Sequence, residues 1–422
     1  MLIITLFNFK LLLLAIILSD FIKKLMNIMV TRRIRDLEYA IRDVAKVANE
    51  IKKTGKKIYH LNIGDPVIYD FKTPEYISKA LADATFAGQN YYVNSLGVPE
   101  LREEIAKNER QKHGISTTVD DVLITSGVTE GIFFVLAGIM EKNTEILIPG
   151  PSYPIYINYS KFFDGIPVEY ELDEDNDWEP NIDDLRKKIT EKTQAILLAS
   201  PNNPTGVVYS EKKIKEIIDI AGEHNLPIIS DEIYDQIIYE KECTCPASLS
   251  KDVPIIGMNG FSKAHLATGW RIGYLYYHDP LGKLKELKEG IENLARARLC
   301  ANSIAQFAAM EALKNPGPHT DSMVKKLKER RDYSYKRIRQ IEGMTCNNPQ
   351  GAFYLFPKID FTEFTKWKDD KEFIIDLVKK TGVCGVYGSG FGNYGKGHVR
   401  FTFLPNLDTL ETVYNLLEDF LK

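Results

Sequence analysis

From Pro254 to Tyr274 the chain reads PIIGMNGFSKAHLATGWRIGY. The first seven residues form an apolar run with the length of a buried strand, closed by a glycine. Lys263 then follows Ser262 directly and stands eight residues before Arg271, with Gly269 and Gly273 around the arginine. A solvated helix face would surround such a lysine with acids and other lysines. This one has almost no charged company, so either it is buried beside a partner or its charge is not always present.

Runs of the same kind precede it: VLITS (Val122–Ser126), EILIPG (Glu145–Gly150), AILLAS (Ala195–Ser200) and LPIIS (Leu226–Ser230). Between two of them EKKIKEIIDIAGEHN places Ile214, Ile217, Ile218 and Ala221 on one helical face. Buried strands alternating with amphipathic helices predict an α/β fold with a largely parallel sheet and helices on both faces. Ligands of such sheets bind outside the carboxyl ends of the strands. After about Ile291 the texture changes to long helical stretches, a strand-rich end (GAFYLFPKI, VCGVYG, HVRFTF) and a terminal helix. This predicts a second, smaller α+β domain. It is joined by an N-terminal helix expected over Arg32–Lys53, where Ile34, Leu37, Ile41, Val44, Val47 and Ile51 recur every three or four residues.

Composition sets the outer bounds. The 422 residues are 44% apolar and 27% charged, which is ordinary for soluble globular chains. A formal charge of -4 is too small and too mixed for a nucleic-acid partner. Five scattered cysteines argue against a disulfide framework and for a reducing, cytoplasmic setting. Cys243 and Cys245 form a lone C-x-C with no second pair and no neighbouring histidine, so no metal site is expected. Residues 1–28 are strongly apolar, but Lys10 splits the run and its unbroken part falls short of a bilayer span. They read as an extension from an upstream start rather than as a membrane anchor. Two further patterns lead nowhere. LDEDNDWEP (Leu172–Pro180) opens like a calcium loop, but Trp178 stands where the turn glycine belongs, leaving a solvated acidic loop. The G-x-G-x-x-G of Gly390–Gly395 precedes a strand rather than a helix, so it is no dinucleotide site.

Three polar clusters follow buried strands in order: SPNNPTG (Ser200–Gly206), SDEIYDQIIY (Ser230–Tyr239) and FSKAHLATGWRIG (Phe261–Gly273). Each alone has a dull explanation as turn chemistry or a helix cap. Their order, at the ligand edge of one sheet, does not. From about Tyr39 to the C-terminus the chain resembles the pyridoxal-phosphate-dependent class I/II aminotransferases of fold type I. The likeness rests on S-K-x5-G-x-R-x-G, met by Ser262, Lys263, Gly269, Arg271 and Gly273.

The resemblance implies a large domain built on a mostly parallel seven-stranded sheet between helices, and pyridoxal 5'-phosphate as cofactor. Lys263 would be the catalytic lysine, the amine that condenses with the cofactor's aldehyde. Arg271, Ser262 and the backbone amides of Val128 and Thr129 would hold its phosphate. Asp231 would keep the ring nitrogen protonated, Tyr234 and Asn203 would serve the ring oxygen, and Tyr153 would stack on the ring. Arg400, in GHVRFTF, would fork the substrate α-carboxylate, with Asn203 and Gly64 close by. Tyr92 would reach the phosphate of a neighbouring subunit, which implies a homodimer.

Within the family the likeness is to bacterial-type glutamate–pyruvate (alanine) aminotransferases. It is carried by EYAIRD with Tyr39 and Arg42, by SDEIYDQIIY, RLCANSIAQ (Arg298–Gln306) and GAFYLFPKID (Gly351–Asp360), and by FLP after Arg400. Tyr39 and Arg42 are the expected side-chain pocket. GNYGKGH (Gly392–His398) departs from the family pattern and leaves specificity open between alanine and aspartate or broad-range enzymes. A pyridoxal-phosphate lyase and the regulatory modules that share the fold are the more distant readings. The expected division is an arm over 29–65, a cofactor-binding domain over 66–295 and a small domain over 296–422.

Overall fold

The strands that carry the three clusters all belong to one sheet. In this computed structural model residues 30–422 are described, apart from Asp36 and Pro316. The expected extension over 1–28 lies outside the described residues. Eight strands form the sheet: β1 (Val122–Thr125), β2 (Glu145–Gly150), β3 (Ile166–Asp173), β4 (Glu179–Pro180), β5 (Thr193–Ala199), β6 (Ile228–Asp231), β7 (Ile255–Gly260) and β8 (Gly273–His278). Their spatial order is β1-β8-β7-β6-β5-β2-β3-β4. Neighbours from β7 to β3 are parallel, whereas β8 runs against both β7 and β1, and β4 runs against β3. The expected seven strands are therefore present, with a two-residue eighth at the edge.

Alternation along the strands separates two cores. Ile196, Leu198, Ile228 and Ile255 face one, and Ala195, Leu197, Ile229 and Ile256 face the other. Both faces are thus dry, which is why these strands read as apolar runs. Helix Glu211–Glu223 buries Ile214, Ile217, Ile218 and Ala221, the face foreseen from the sequence. Because β1, β5, β6 and β7 run the same way, their carboxyl ends bring Val128, Asn203, Asp231 and Lys263 to one edge.

Away from this sheet, Tyr354–Leu355 and Val386–Tyr387 flank Val399–Thr402 in an antiparallel three-stranded sheet. Arg400 stands on its central strand. Tyr59–His60 pairs in parallel with Val383–Cys384. Helices Lys285–Ala297, Ser303–Lys314 and His319–Ile338 precede this region, and Leu407–Leu421 ends the chain.

Two expectations need correction. The helix foreseen over Arg32–Lys53 is two separate pieces, Arg32–Arg35 and Ala40–Lys52. Tyr39 leaves the helical region (φ -135°), the Glu38 carbonyl accepts from Asn158 Nδ2 at 2.6 Å, and the Tyr39 hydroxyl bonds to that of Tyr153. Tertiary bonds override the apolar period there. The acidic stretch Leu172–Pro180 is solvated at its tip, Asp175 to Asp177, as expected, but its two ends are paired strands rather than loop. It turns tightly between β3 and β4, with Trp178 buried at positive φ (63°) against Phe356 and His398.

One glycine of β7 is dictated by its neighbour. A Cβ on Gly257 would lie 2.0 Å from the ring of Tyr276, its partner on β8. That ring cannot yield, because its hydroxyl donates to Glu232 at 2.9 Å inside the core. Gly257→Ala is expected to cost about 1–3 kcal/mol by overpacking. A lowered urea midpoint checks this; an unchanged midpoint would show the ring free to move.

Candidate active site

At the carboxyl edge lies a cavity of about 480 Å³. Its wall includes Lys263, Arg271, Ser262, Val128, Thr129, Asp231, Tyr234, Asn203, Tyr153, Gly64, Arg400, Tyr39 and Arg42. Of the residues given a catalytic or binding role from the sequence, Tyr92 alone is not in this wall; it is 79% exposed.

Lys263 leaves the turn after β7 and donates from Nζ to the Gly64 carbonyl at 2.6 Å. Its ammonium also sits 5.4 Å from the Phe353 ring and 5.7 Å from that of Tyr234. Burial disfavours its charge; Asp65 opposes this and the Arg400 and Arg271 charges reinforce it, bringing the group down to about 8. A lysine so poised is a nucleophile and a base near neutral pH.

Beside it the helix Val128–Ile139 begins, capped by Gly127 at φ 77°. A Cβ there would meet Arg271 Nη2 at 2.4 Å, so the glycine makes room for the guanidinium. Gly273 serves the same corner: its Cβ would lie 2.8 Å from the Val128 nitrogen. Arg271 has a left-handed backbone (φ 56°) and donates to the carbonyls of Thr268 and Ser126. It has no carboxylate partner among the described residues. Free amides at a helix start, a guanidinium and the Ser262 hydroxyl together make an anion site.

Across the cavity Asp231 ends β6. Its carboxylate accepts from the Tyr156 hydroxyl at 2.6 Å and the Ile233 amide at 3.1 Å. Burial pushes this carboxyl up, while those two donors and the Lys263 charge pull it back. Tyr153 packs edge-on to both Tyr39 and Tyr156, and its hydroxyl meets that of Tyr39 at 2.7 Å. The Tyr234 hydroxyl meets that of Tyr354 at 2.7 Å. Burial holds Tyr153 and Tyr234 far above the usual phenol range, so both are neutral donors.

Arg400 is 1% exposed, yet among the described residues no carboxylate pairs with it. Its Nη1 donates to Asn203 Oδ1 at 2.9 Å and its Nη2 to the Asn62 carbonyl at 2.7 Å. The plane lies between Tyr354 and Phe391, 4.5 and 4.9 Å from their centroids, and Nε has no partner. Unspent donors on a buried cation call for an anion.

The sequence reading missed Tyr156, Tyr354, Asp65 and Thr268, which also line the wall. Tyr156 had a signal, since it follows Tyr153 at helical spacing in PSYPIY. Tyr354 had none, although it explains Gly64: a Cβ there would lie 2.2 Å from its hydroxyl. The loop Gly392–His398 does not line the cavity. It is tied to β3 through Asn393 and Glu169, and Tyr394 accepts from Lys188 Nζ at 2.8 Å.

Residues 56–419 match the model of the aminotransferase class I and II family. The chain is similar to glutamate-pyruvate aminotransferase AlaA of Haemophilus influenzae, with 37% identity over 90% of this chain and 94% of that one. It superimposes on alanine aminotransferase from Pyrococcus furiosus with a TM-score of 0.91 at 50% identity, covering 93% and 99% of the two chains. A probable aspartate aminotransferase of Methanocaldococcus jannaschii is 32% identical over 93% of this chain and 99% of its own. The lysine and anion corner at the carboxyl edge of the sheet, with a buried arginine facing them, accompany these matches to transaminases. The chain belongs to the class I and II aminotransferases.

The lowered Lys263 predicts a pH signature in ligand-free protein. Only the neutral amine attacks an acylating reagent, so labelling of Lys263 should rise with pH through about 8 and level off above it. Peptide mapping after timed labelling reads the profile. A rate still climbing at the ordinary lysine value of about 10.4 would show an unperturbed amine.

Proposed function

We propose that this transaminase is an alanine (glutamate–pyruvate) aminotransferase that uses pyridoxal 5'-phosphate and works by a ping-pong exchange. The observation that carries the reading is the pair of arginines on the substrate side, Arg400 buried and Arg42 exposed, neither with a carboxylate partner among the described residues. The alanine and glutamate-pyruvate aminotransferases to which the chain is similar support it.

The donor set suits the cofactor: an anion corner for a phosphate, a buried acid for a ring nitrogen, phenols for a ring oxygen, and an amine. When bound, pyridoxal phosphate supplies an aldehyde for the amino group and an electron-withdrawing ring. Arg271, Ser262 and the amides of Val128 and Thr129 would hold the phosphate. Asp231, fixed by Tyr156 and Ile233, would keep the proton on the ring nitrogen. Tyr234 and Asn203 would donate to the ring oxygen, and Tyr153 would pack against the ring. Arg400 grips the α-carboxylate and so turns Cα toward Lys263, whose Nζ removes the Cα proton and returns it on the other side of the exchange.

A pocket that takes both alanine and glutamate cannot bury a fixed unpaired charge beside the methyl group. Arg42 meets the second carboxylate, because an exposed side chain can swing to solvent when alanine is bound. The same reading assigns residues 66–295 to the cofactor domain and 296–422 to the small domain, with 29–65 joining it. The parallel pairing of Tyr59–His60 with Val383–Cys384 supports that junction. The enzyme acts in the cytoplasm as a homodimer in which the exposed Tyr92 reaches the neighbouring phosphate.

Purified enzyme should use alanine and glutamate with 2-oxoglutarate and pyruvate. Good turnover of aspartate with poor turnover of alanine would replace this reading with the aspartate one. Arg42→Ala should lower kcat/KM for glutamate and 2-oxoglutarate by about 10- to 100-fold and leave alanine within a few-fold; equal losses would make Arg42 structural. Lys263→Ala should lose at least about 10²–10⁴-fold in kcat, with borohydride labelling in the wild type mapping to Lys263 and to no other lysine.

A further inference from the structure

Behind the cavity, a second group of ionisable side chains is buried, and none of its members lines the wall. Successive strand residues point to opposite faces, so while Asp231 faces the cavity the next residue, Glu232, turns away from it. Glu232 meets His113, the last residue of helix Pro99–His113, and Cys245, which precedes the short helix Pro246–Leu249. One ring nitrogen of His113, one Glu232 oxygen and Cys245 Sγ all lie within 4.8 Å of one another.

The carboxylate and the thiol are hydrogen-bonded, whereas the imidazole and the neighbouring Glu109 are left short of partners among the described residues. Glu232 accepts from Ser230 Oγ at 2.8 Å, from the Tyr276 hydroxyl at 2.9 and 3.0 Å, and from Cys245 Sγ at 3.8 Å. The same hydroxyl touches Cys245 Sγ at 3.2 Å. His113, its side chain 10% exposed, has no hydrogen-bond partner on Nε2 among the described residues. Glu109 Oε2 lies 3.7 Å from that nitrogen and also lacks a hydrogen bond, although its other oxygen accepts from Tyr274 at 2.7 Å. The one nearby ammonium, on Lys112, is paired with Asp235. Neither Glu109 nor Glu232 has a lysine or arginine partner among the described residues. Burial accordingly pushes Glu232 up to about 8 and Glu109 up to about 7, and His113 down to about 4, which leaves its imidazole neutral.

We propose that His113, Glu232 and Cys245 bind a zinc-type divalent cation, with Glu109 Oε2 facing the fourth position. Imidazole, thiolate and carboxylate in a small buried set are the ligands a tetrahedral zinc ion takes. The ligand atoms need to close by roughly 1 Å to reach metal distances of about 2.0–2.3 Å. Binding expels the thiol proton of Cys245 and the proton on Glu232 to solvent. Ser230, Tyr276 and Tyr274 then orient the ligands from behind. The cation staples the end of helix Pro99–His113 to the segment between Asp231 and Cys245, which carries Tyr234. It stabilises the face of the site without touching substrate.

The probe is cobalt(II) added to the full-length holoenzyme after treatment with a chelator. One equivalent should bind, with a thiolate-to-cobalt charge-transfer band, the strong visible bands of a tetrahedral site and a melting temperature raised by several degrees. Zinc should displace it equivalent for equivalent. Cys245→Ser and His113→Gln should each abolish the charge-transfer band or weaken cobalt binding at least tenfold, while Cys243→Ser should leave both unchanged. Circular dichroism of the metal-free variants confirms that each is folded, and Cys245→Ala stands in if serine is not tolerated. Absence of the band in folded wild type would overturn the proposal. So would its survival in Cys245→Ser, or a cobalt-bound protein that melts no higher than the free one.

Discussion

Charge that the protein itself does not balance governs the cavity. Lys263, Arg271 and Arg400 all face it, and none has a carboxylate within ion-pair reach among the described residues. Asp231 and Asp65 are the acids in its wall. For Arg400, which is nearly solvent-free, this imbalance opposes folding unless an anion enters. Much of the surrounding geometry serves that constraint. Gly127 and Gly273 clear a space for Arg271 against a helix start, Asn203 and Asn62 aim the Arg400 plane, and the Gly64 carbonyl holds the Lys263 ammonium in place. The cavity thus offers donors for two negative groups from outside, one at the Arg271 corner and one at Arg400.

The parts legible in the sequence are those in which one short segment carries both the strand and its polar end. AILLAS with Asn203, LPIIS with Asp231 and PIIGMNG with Lys263 each announce where the strand stops and what stands at its tip. Burial on both faces leaves an uninterrupted apolar run, and such runs are easy to read. Strand β3 escaped notice because it lies near the sheet edge and mixes Glu169 and Glu171 among its apolar residues. Strand β8 escaped because its tyrosines continue straight out of the glycine-rich loop.

What stayed hidden is what only tertiary structure assembles. Nothing in EYAIRD says that Tyr39 leaves the helix to meet Tyr153, since the apolar period runs straight through it. The C-x-C of Cys243 and Cys245 looked idle because no histidine is near in sequence. The histidine comes from the end of a distant helix, and the carboxylate is the neighbour of Asp231. Alternate strand residues point to opposite faces, so the cavity-lining Asp231 and the core-facing Glu232 sit side by side in SDEIY with nothing in the sequence to separate them. Gly64 is similar: besides its place in the cavity wall it meets a demand the sequence does not show, the close approach of the Tyr354 hydroxyl.

The order of strands in the large sheet also affects the growing chain. Among the described residues β1 pairs with β8 and with no other strand, although roughly 150 residues separate them. At ordinary rates of synthesis, on the order of 10 s passes between the appearance of the two. Throughout that interval the apolar Val122–Thr125 has no native neighbour to pair with, and the helix start that follows it has no Arg271 beside it. The edge of the sheet and the anion corner are therefore completed together, only once the stretch from Arg271 to His278 has emerged.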